Sequence, residues 1–574
     1  MKQSRSWAYN YDICFAVICA LILMFLIYLA PYGYNGYDES FYLTVPYRLV
    51  QGDALLKYEW HPAQFVGFLM YPVMWIYLKL AGSTDGIYLA FRYIYIAAQL
   101  LAAVYIYIRL KAEKTAPLGA IFAAAVYFLF VPYSRLTLSY NTLAIMLLLL
   151  SGITAATAKK NAAYFMSGLM FAGAVLCCPY LAAVYAIYTL ALLIRKISKH
   201  GKMREWLYFT AGCAVLAVIF LAVILINATP KELLDGIKNT LNDPEHSEIK
   251  PLKSLGLYIK HVFFSRASAK MLFFGCLVLI LLIRLDKRSE EHRWLYMSFA
   301  ALIAILHLAI TYKSYRYINY YTLSLCMPGL IAYLLHKNRP KKIFFLVYLP
   351  GWLFSYCKCL SSNQFYYAIT EGLSVACAAS AFIIGSLIHE SLSEKDKTKQ
   401  AKITSGASCA ISALAVAVLC CVLVLDSLEI REGNCRTMGR DYKFTLTEQM
   451  QGSVADGLYA TVAENENYKR YLAATEKVRN YEGKNVLYFS WELWLYMADS
   501  KDNAAFSAWL SFTQEDMAAE RLLDYWSLHP VKLPDAIFID KDFINADVYA
   551  KALNTENFPV EENDLGYIML RPEQ

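Results

Sequence analysis

The stretch Phe65-Val-Gly-Phe-Leu-Met-Tyr-Pro-Val-Met-Trp-Ile-Tyr-Leu-Lys-Leu-Ala81 decides how this chain is threaded. Its apolar length is close to the roughly 20 residues that cross a bilayer. If it crossed, the basic clusters Arg109, Lys111, Lys114 and Lys159-Lys160 would fall outside the cell. Laid on the outer face or dipping into it, the segment leaves every later basic loop inside. The density of Lys and Arg is then more than threefold higher in cytoplasmic loops than in outer ones, as the positive-inside rule requires. The reading is 13 spans, near residues 13–31, 86–108, 117–133, 140–158, 162–177, 179–194, 206–226, 270–283, 294–311, 317–335, 343–359, 366–388 and 403–425. The N-terminus is expected in the cytoplasm and the C-terminal region outside.

Composition agrees. Of 574 residues, 58% are hydrophobic and 17% charged, against about 25% charged in soluble proteins. Residues 1–425 hold 39 Lys+Arg and 20 Asp+Glu, whereas 426–574 hold 15 and 26. The expected architecture is an all-α polytopic body of about 13 transmembrane helices over residues 1–425. Its outer loop 32–85 carries interfacial helices, and an extracytoplasmic α/β domain follows over 426–574. That domain shows strand-like runs at Asn485–Ser490 and Ala536–Asp540, and helix-like runs at Trp491–Asp499 and Asp516–Ser527. Its tryptophans 491, 494, 509 and 526 read as core.

Several function classes fall away. The basic residues sit in short connectors such as Arg195-Lys196 and Lys341-Lys342, which serve membrane insertion and not a nucleic-acid groove. No Walker-type phosphate loop appears, and no internal repeat marks a secondary transporter. Most of the 14 cysteines lie in apolar segments, where a thiol packs as a small hydrophobe. Cys357-x-Cys359 reads the same way, and the tail holds Cys435 alone.

The chemistry-bearing residues gather in the outer segments 32–85, 227–269 and the tail. Asp38 and Glu39 follow Pro31-Tyr-Gly-Tyr-Asn-Gly-Tyr at the mouth of the first span. Adjacent residues at a helix start point to different sides, so one faces a substrate while the other hydrogen-bonds the helix. The alternative is a capping pair that favours the helix dipole. Tyr58-Glu59-Trp60-His61-Pro62 is either an interfacial anchor or part of the same cavity. Arg92 lies inside the second span, as a snorkelling side chain or as an anion partner. Arg135, and Lys313 with Arg316, stand at later outer mouths. Asp243, Glu245 and His246 on the middle outer loop are potential metal ligands or a simple turn.

The order of these motifs along residues 10–340 resembles the GT-C glycosyltransferases. More narrowly, it is similar to the branch of protein O-mannosyltransferases and lipid A aminoarabinose transferases, which use a sugar on a polyprenyl phosphate. Asp38-Glu39 matches the acidic pair. Tyr58 and His61-Pro62 stand where the aminoarabinose branch has a tyrosine and Lys-Pro-Pro, with His departing from Lys. Arg92 resembles the arginine of the next span, and Arg316-Tyr317 with Pro328 resembles an Arg-Tyr…Pro segment. The resemblance implies an inverting displacement in the plasma membrane, at its outer face. Asp38 is the general base and Glu39 its support, and Tyr58, His61, Arg92, Arg135, Arg316 and Tyr317 contact the substrates. The implied partners are a polyprenyl-phosphate-linked sugar donor, a cell-envelope acceptor and the lipid bilayer. No cofactor is certain, although a divalent metal is compatible. The rival readings are a lipid-linked glycan ligase or polymerase, and a non-enzymatic lipid or polysaccharide transporter.

Overall fold

The computed structural model describes residues 2–112, 117–132, 136–197, 203–243, 251–314, 320–361, 365–393, 399–433, 446–510, 515–542 and 545–572. Each of the 13 expected spans coincides with a helix. In chain order, with the shorter surface helices included, these are α1 (Lys2–Leu29), α2 (Asp38–Val50), α3 (Val66–Ala81), α4 (Ile87–Lys111), α5 (Pro117–Leu129) and α6 (Tyr140–Ala156). Then come α7 (Asn161–Cys177), α8 (Ala182–Ile197), α9 (Met203–Asn227), α10 (Pro230–Leu241), α11 (Pro251–Ile259) and α12 (Ala267–Leu285). The body closes with α13 (Arg293–Ser314), α14 (Leu323–Leu335), α15 (Lys341–Ile343) running through a π-turn into α16 (Leu349–Leu360), α17 (Phe365–Ser393) and α18 (Lys399–Gly433). Among the described residues, 8 of these helices are long and apolar enough to cross a membrane by themselves. The other five expected spans are shorter apolar helices, and the remaining short one is α3. The chain is a multi-pass, mostly helical membrane protein.

The bundle is wound around α17, which is almost wholly buried, while α9 lies at the periphery with Val218 65% and Ile226 80% exposed. Exposed apolar side chains are at home in hydrocarbon, so helix association depends on close packing more than on hydrophobic driving force. Small residues supply that packing. A Cβ at Gly168 of α7 would sit 2.0 Å from the Phe209 carbonyl oxygen of α9, and one at Gly212 would sit 2.0 Å from that of Phe165. Alanine at either position would push the two helices apart.

Contacts at the helix ends sort the bundle into two sides. On the side away from the C-terminal domain, Asp12 meets Lys111, and Glu390 meets Arg293 at 3.3 Å and His336 at 2.9 Å. On the domain side, Gly33 N–H donates to the Tyr459 carbonyl (2.8 Å) and Gly86 N–H to that of Ser453 (2.9 Å). The helix α3 does not cross between these sides. Phe65, its N-cap, and Phe68 pack on Phe220, near the domain-side end of α9, with ring centroids 5.4 and 5.3 Å apart. Near its other end, Tyr77 packs on Phe91, close to the domain-side start of α4, at 5.7 Å. Both ends of α3 therefore lie toward the domain side of the bundle, and Gly82 closes it in a left-handed cap (φ 73°).

The C-terminal domain opens with a two-stranded ladder, β1 Glu448–Gln449 and β2 Tyr459–Ala460, and holds a 5-stranded sheet of order β4-β3-β5-β7-β6, with β3 Asn485–Phe489, β4 Asp502–Asn503, β5 Ala536–Asp540, β6 Val560–Glu562 and β7 Gly566–Leu570. Strands β3 and β5 pair in parallel with Leu487 opposite Ile537, and both are buried along their whole length. That is why they read as continuous apolar runs and not as alternating ones. The expected helix at 491–499 shrinks to Leu495–Ala498, because Ser490 to Trp494 form the exit loop from β3. The last membrane helix, α18, runs to Gly433, past the expected boundary at 425. Trp494 and Trp526 are core, as expected, whereas Trp491 and Trp509 are only half-buried and meet the first loop. In return, Trp60 of that loop enters the domain core at 2% exposure, a burial that stabilises docking by roughly 1.5–3 kcal/mol.

Candidate active site

The turn before α2 sets the site. Gly33 adopts φ 89°, and Asn35 Oδ1 then accepts the backbone N–H groups of Tyr37 and Asp38, both at 3.0 Å. Asn35 thus satisfies orphan donors at the helix start. Capping was one reading of Asp38, but it occupies the first helical turn and not the cap. Its neighbour Glu39 turns inward to 2% exposure, while Asp38 stays half-buried at the junction of membrane body and soluble domain. The two carboxylates point apart, as adjacent residues on a helix must.

Glu39 meets Arg92 of α4 in a two-point contact, with Nε to Oε1 at 2.7 Å and Nη2 to Oε2 at 2.6 Å. The same guanidinium donates from Nη1 to the Ala30 carbonyl (2.6 Å) and from Nη2 to that of Gly33 (2.8 Å). One buried arginine therefore ties the end of α1, the turn and the start of α2 together. Arg92 was expected at the substrate; its described contacts are to Glu39 and backbone.

A second buried arginine, which sequence reading missed, holds the other end of α2. Arg48, 1% exposed, donates Nε to Asp53 (2.7 Å), Nη1 to Glu59 (2.6 Å) and Nη2 to the carbonyls of Tyr58 and Ala505 (2.9 Å each). Lys532 of the domain also reaches Asp53 at 2.5 Å. Burial pushes the Glu59 carboxyl above its ordinary range, and the Arg48 charge opposes that shift. Tyr58 sits in this second cluster, its ring 5.2 Å from His529 and under Lys57 and Lys532. Ten residues of helix, about 15 Å, separate Asp38 from Arg48, so the structure does not bring the Tyr58 backbone that Arg48 holds to the acidic pair.

His61 is nearer. Its ring lies 4.4 Å from that of Phe41, one turn along α2 from Asp38, and its Nδ1 accepts the Ala63 N–H at 3.0 Å. With Asp243, Ser507, Trp509 and Arg521 it lines a small recess. Asp243 faces Arg521 at 3.5 Å. Burial lowers the Arg521 guanidinium pKa, with Asp243 opposing. Glu245 and His246 lie outside the described residues, as do Arg135, Arg316 and Tyr317; among the described residues no three metal-ligating side chains come together.

Trp491 and Glu492, on the exit loop from β3, press on the turn from the domain. The Trp491 ring is 5.7 Å from that of Tyr37, and Glu492 accepts from Tyr34 Oη at 3.2 Å and Trp494 Nε1 at 2.7 Å. A Cβ at Gly36 would fall 2.4 Å from Glu492 Oε2, so any larger residue there would have to displace the carboxylate that accepts from Tyr34 and Trp494. A further buried cation lies in the bundle. Lys358, near the domain-side end of α16, donates to Asn141, faces Glu371 at 3.6 Å and lies 4.9 Å from the Tyr140 ring. Tyr140 in turn packs on Tyr42 of α2 at 5.4 Å, and Tyr42 is one turn from Asp38. The sequence signal for this group was a lysine and a glutamate inside spans 343–359 and 366–388, where charge is expensive.

No protein-family model and no curated protein matches the chain. Among solved structures it is similar to the archaeal oligosaccharyltransferase AglB from Archaeoglobus fulgidus in complex with an inhibitory peptide and a dolichol-phosphate. That likeness has a TM-score of 0.45 and 14% identity, over 92% of this chain and 69% of that one. The apo form of the Archaeoglobus fulgidus oligosaccharyltransferase gives a TM-score of 0.46 and 13% identity, over 98% and 75%.

Proposed function

We propose that this chain is a membrane glycosyltransferase of GT-C type, resembling the O-mannosyltransferase and aminoarabinose transferase branch. It moves a sugar from a polyprenyl-phosphate-linked donor to a hydroxyl of a cell-envelope acceptor, on the membrane face that carries the C-terminal domain. The observation that carries the proposal is the placement of Asp38. It is a half-buried carboxylate on a helix fixed at both ends by buried arginines, where membrane body and soluble domain meet.

Asp38 takes the proton of the acceptor hydroxyl as that oxygen attacks the anomeric carbon. The bond from this carbon to the phosphate oxygen breaks, the polyprenyl phosphate leaves as an anion, and configuration inverts. Glu39 and Arg92 act as positioning residues, because their mutual contact fixes the first turn of α2. The leaving phosphate calls for cations in a site screened from water. Arg135, Arg316 and Tyr317 keep that role from the sequence resemblance, and Lys358 joins them on its placement behind Tyr140 and Tyr42. His61 contacts substrate beside Phe41, and Tyr58 supports domain docking.

The test is transfer of labelled sugar from a polyprenyl-phosphate donor by purified wild type and Asp38→Asn. Asparagine keeps the shape but not the charge, so turnover should fall by about 100- to 10,000-fold while the folded protein is still recovered. Activity within a few-fold of wild type in Asp38→Asn would sink the assignment.

A further inference from the structure

The helix α10 follows α9 after only two residues, on the domain side of the bundle. It opens with a capping box in which Thr229 accepts from the Glu232 N–H and Glu232 reaches back to Thr229. Its inner face docks on protein. Gly236 lies so close to the Leu56 carbonyl oxygen that a Cβ would fall 1.5 Å from it. Glu232 pairs with Lys57 at 3.0 Å, Thr240 meets Gln64 at 3.3 Å, and Arg521 of the domain donates to the Asn239 carbonyl at 2.8 Å.

The opposite face carries Leu234, Ile237 and Leu241, exposed by 68%, 38% and 76%. At 100° per residue these three fall within one arc of about 60°, centred about 130° around the helix from Gly236. The exposed Lys231 and Lys238 follow at the edge of that arc. The apolar face continues the lipid-facing surface of α9, whose Leu225 and Ile226 are exposed just before the connecting turn. In the same outer segment, α11 repeats the pattern, with Leu255 and Ile259 exposed while Ser254 and Tyr258 are buried.

We infer that α10 lies in the interfacial layer of the leaflet on the domain side and binds phospholipid. Leu234, Ile237 and Leu241 sit among the acyl chains, and Lys231 and Lys238 meet anionic phosphates. An amphipathic helix with lysines beside its apolar stripe has the composition for that layer, and a cation near an anionic surface adds to the attraction. Because the inner face of α10 holds Lys57, Gln64 and Arg521, this contact ties the first loop and the C-terminal domain to the membrane surface. The inference rests on the membrane reading of the helices and not on the transferase reading.

The experiment places photoreactive benzoylphenylalanine singly at 234, 237 and 241 in the full chain. Val218 of α9 serves as the lipid control and the exposed Glu556 as the water control. The protein is reconstituted in nanodiscs of labelled phosphatidylcholine, with or without phosphatidylglycerol. The expected result is lipid adducts at 234 and 241 approaching those at 218 and several-fold above 556. Labelling no higher than at 556 would place α10 in water and overturn the inference. Protein–protein adducts in place of lipid adducts would overturn it in favour of a second copy on this face. Removing phosphatidylglycerol, or introducing Lys231→Gln with Lys238→Gln, should lower the labelling. Indifference to both would remove the headgroup contact from the inference.

Discussion

Replacing Arg92 by methionine should leave the Glu39 carboxylate buried without its cation, and the carbonyls of Ala30 and Gly33 without their donor. Removing one partner of a buried ion pair costs about 3–5 kcal/mol, and each abandoned buried carbonyl adds roughly 1–3 kcal/mol. Arg92→Met should therefore destabilise by about 5 kcal/mol or more, a large part of the about 5–15 kcal/mol that holds an ordinary fold. Glu39→Gln should cost less, about 3 kcal/mol, since an amide oxygen still accepts one N–H. In the double variant neither charge is left, so the two losses should fail to add by about 2 kcal/mol. The assay is equilibrium unfolding of the four proteins in one detergent, with donor binding measured alongside. If Arg92→Met unfolds within about 0.5 kcal/mol of wild type while donor affinity collapses, the reasoning is refuted. Arg92 would then be a phosphate ligand and not the tie between α1, α2 and α4.

The Lys358–Glu371 pair separates support from chemistry. Lys358→Ala should cost about 3–5 kcal/mol through the orphaned Glu371, whereas Lys358→Met with Glu371→Leu should restore folding yet leave donor turnover low; full turnover in the double variant would reduce the pair to packing. The Thr229 N–H and Lys57 hold the Glu232 carboxyl at about 2, so its charge is favoured in the folded state. Its stabilisation of α10 is complete above the ordinary carboxylate value of about 4.3 and fades as pH falls through 2. Hydrogen exchange over 230–241, corrected for intrinsic rate, should be flat from pH 7 to 5 in wild type and faster in Glu232→Gln; a wild-type rise in that range would contradict this. For the orientation of the chain, a cysteine at Ser453, with Cys435 replaced, should react with an impermeant thiol reagent in intact cells. Labelling only after lysis would place the C-terminal domain inside.

The helices of the membrane body and a C-terminal sheet region were legible from local sequence signals. A span needs a run of apolar residues whatever its neighbours are, and basic connectors mark one side, so both signals are local and additive. The same locality made β3 and β5 legible as buried runs, and charge density alone argued against Phe65–Ala81 running from one side of the bundle to the other. The acidic pair was also visible, because Asp-Glu at the mouth of a span is costly unless used. Which charges meet was settled by packing. Arg92 and Glu39 are 53 residues apart, and Arg48 closes a cluster that includes Ala505, 457 residues away. No periodicity encodes such pairings, since they depend on how α2 crosses α4 and on where the domain docks. The division of labour between Asp38 and Glu39 follows from that packing. Burial gives Glu39 to an arginine and leaves Asp38 at the junction, whereas in the sequence the two carboxylates are simply neighbours.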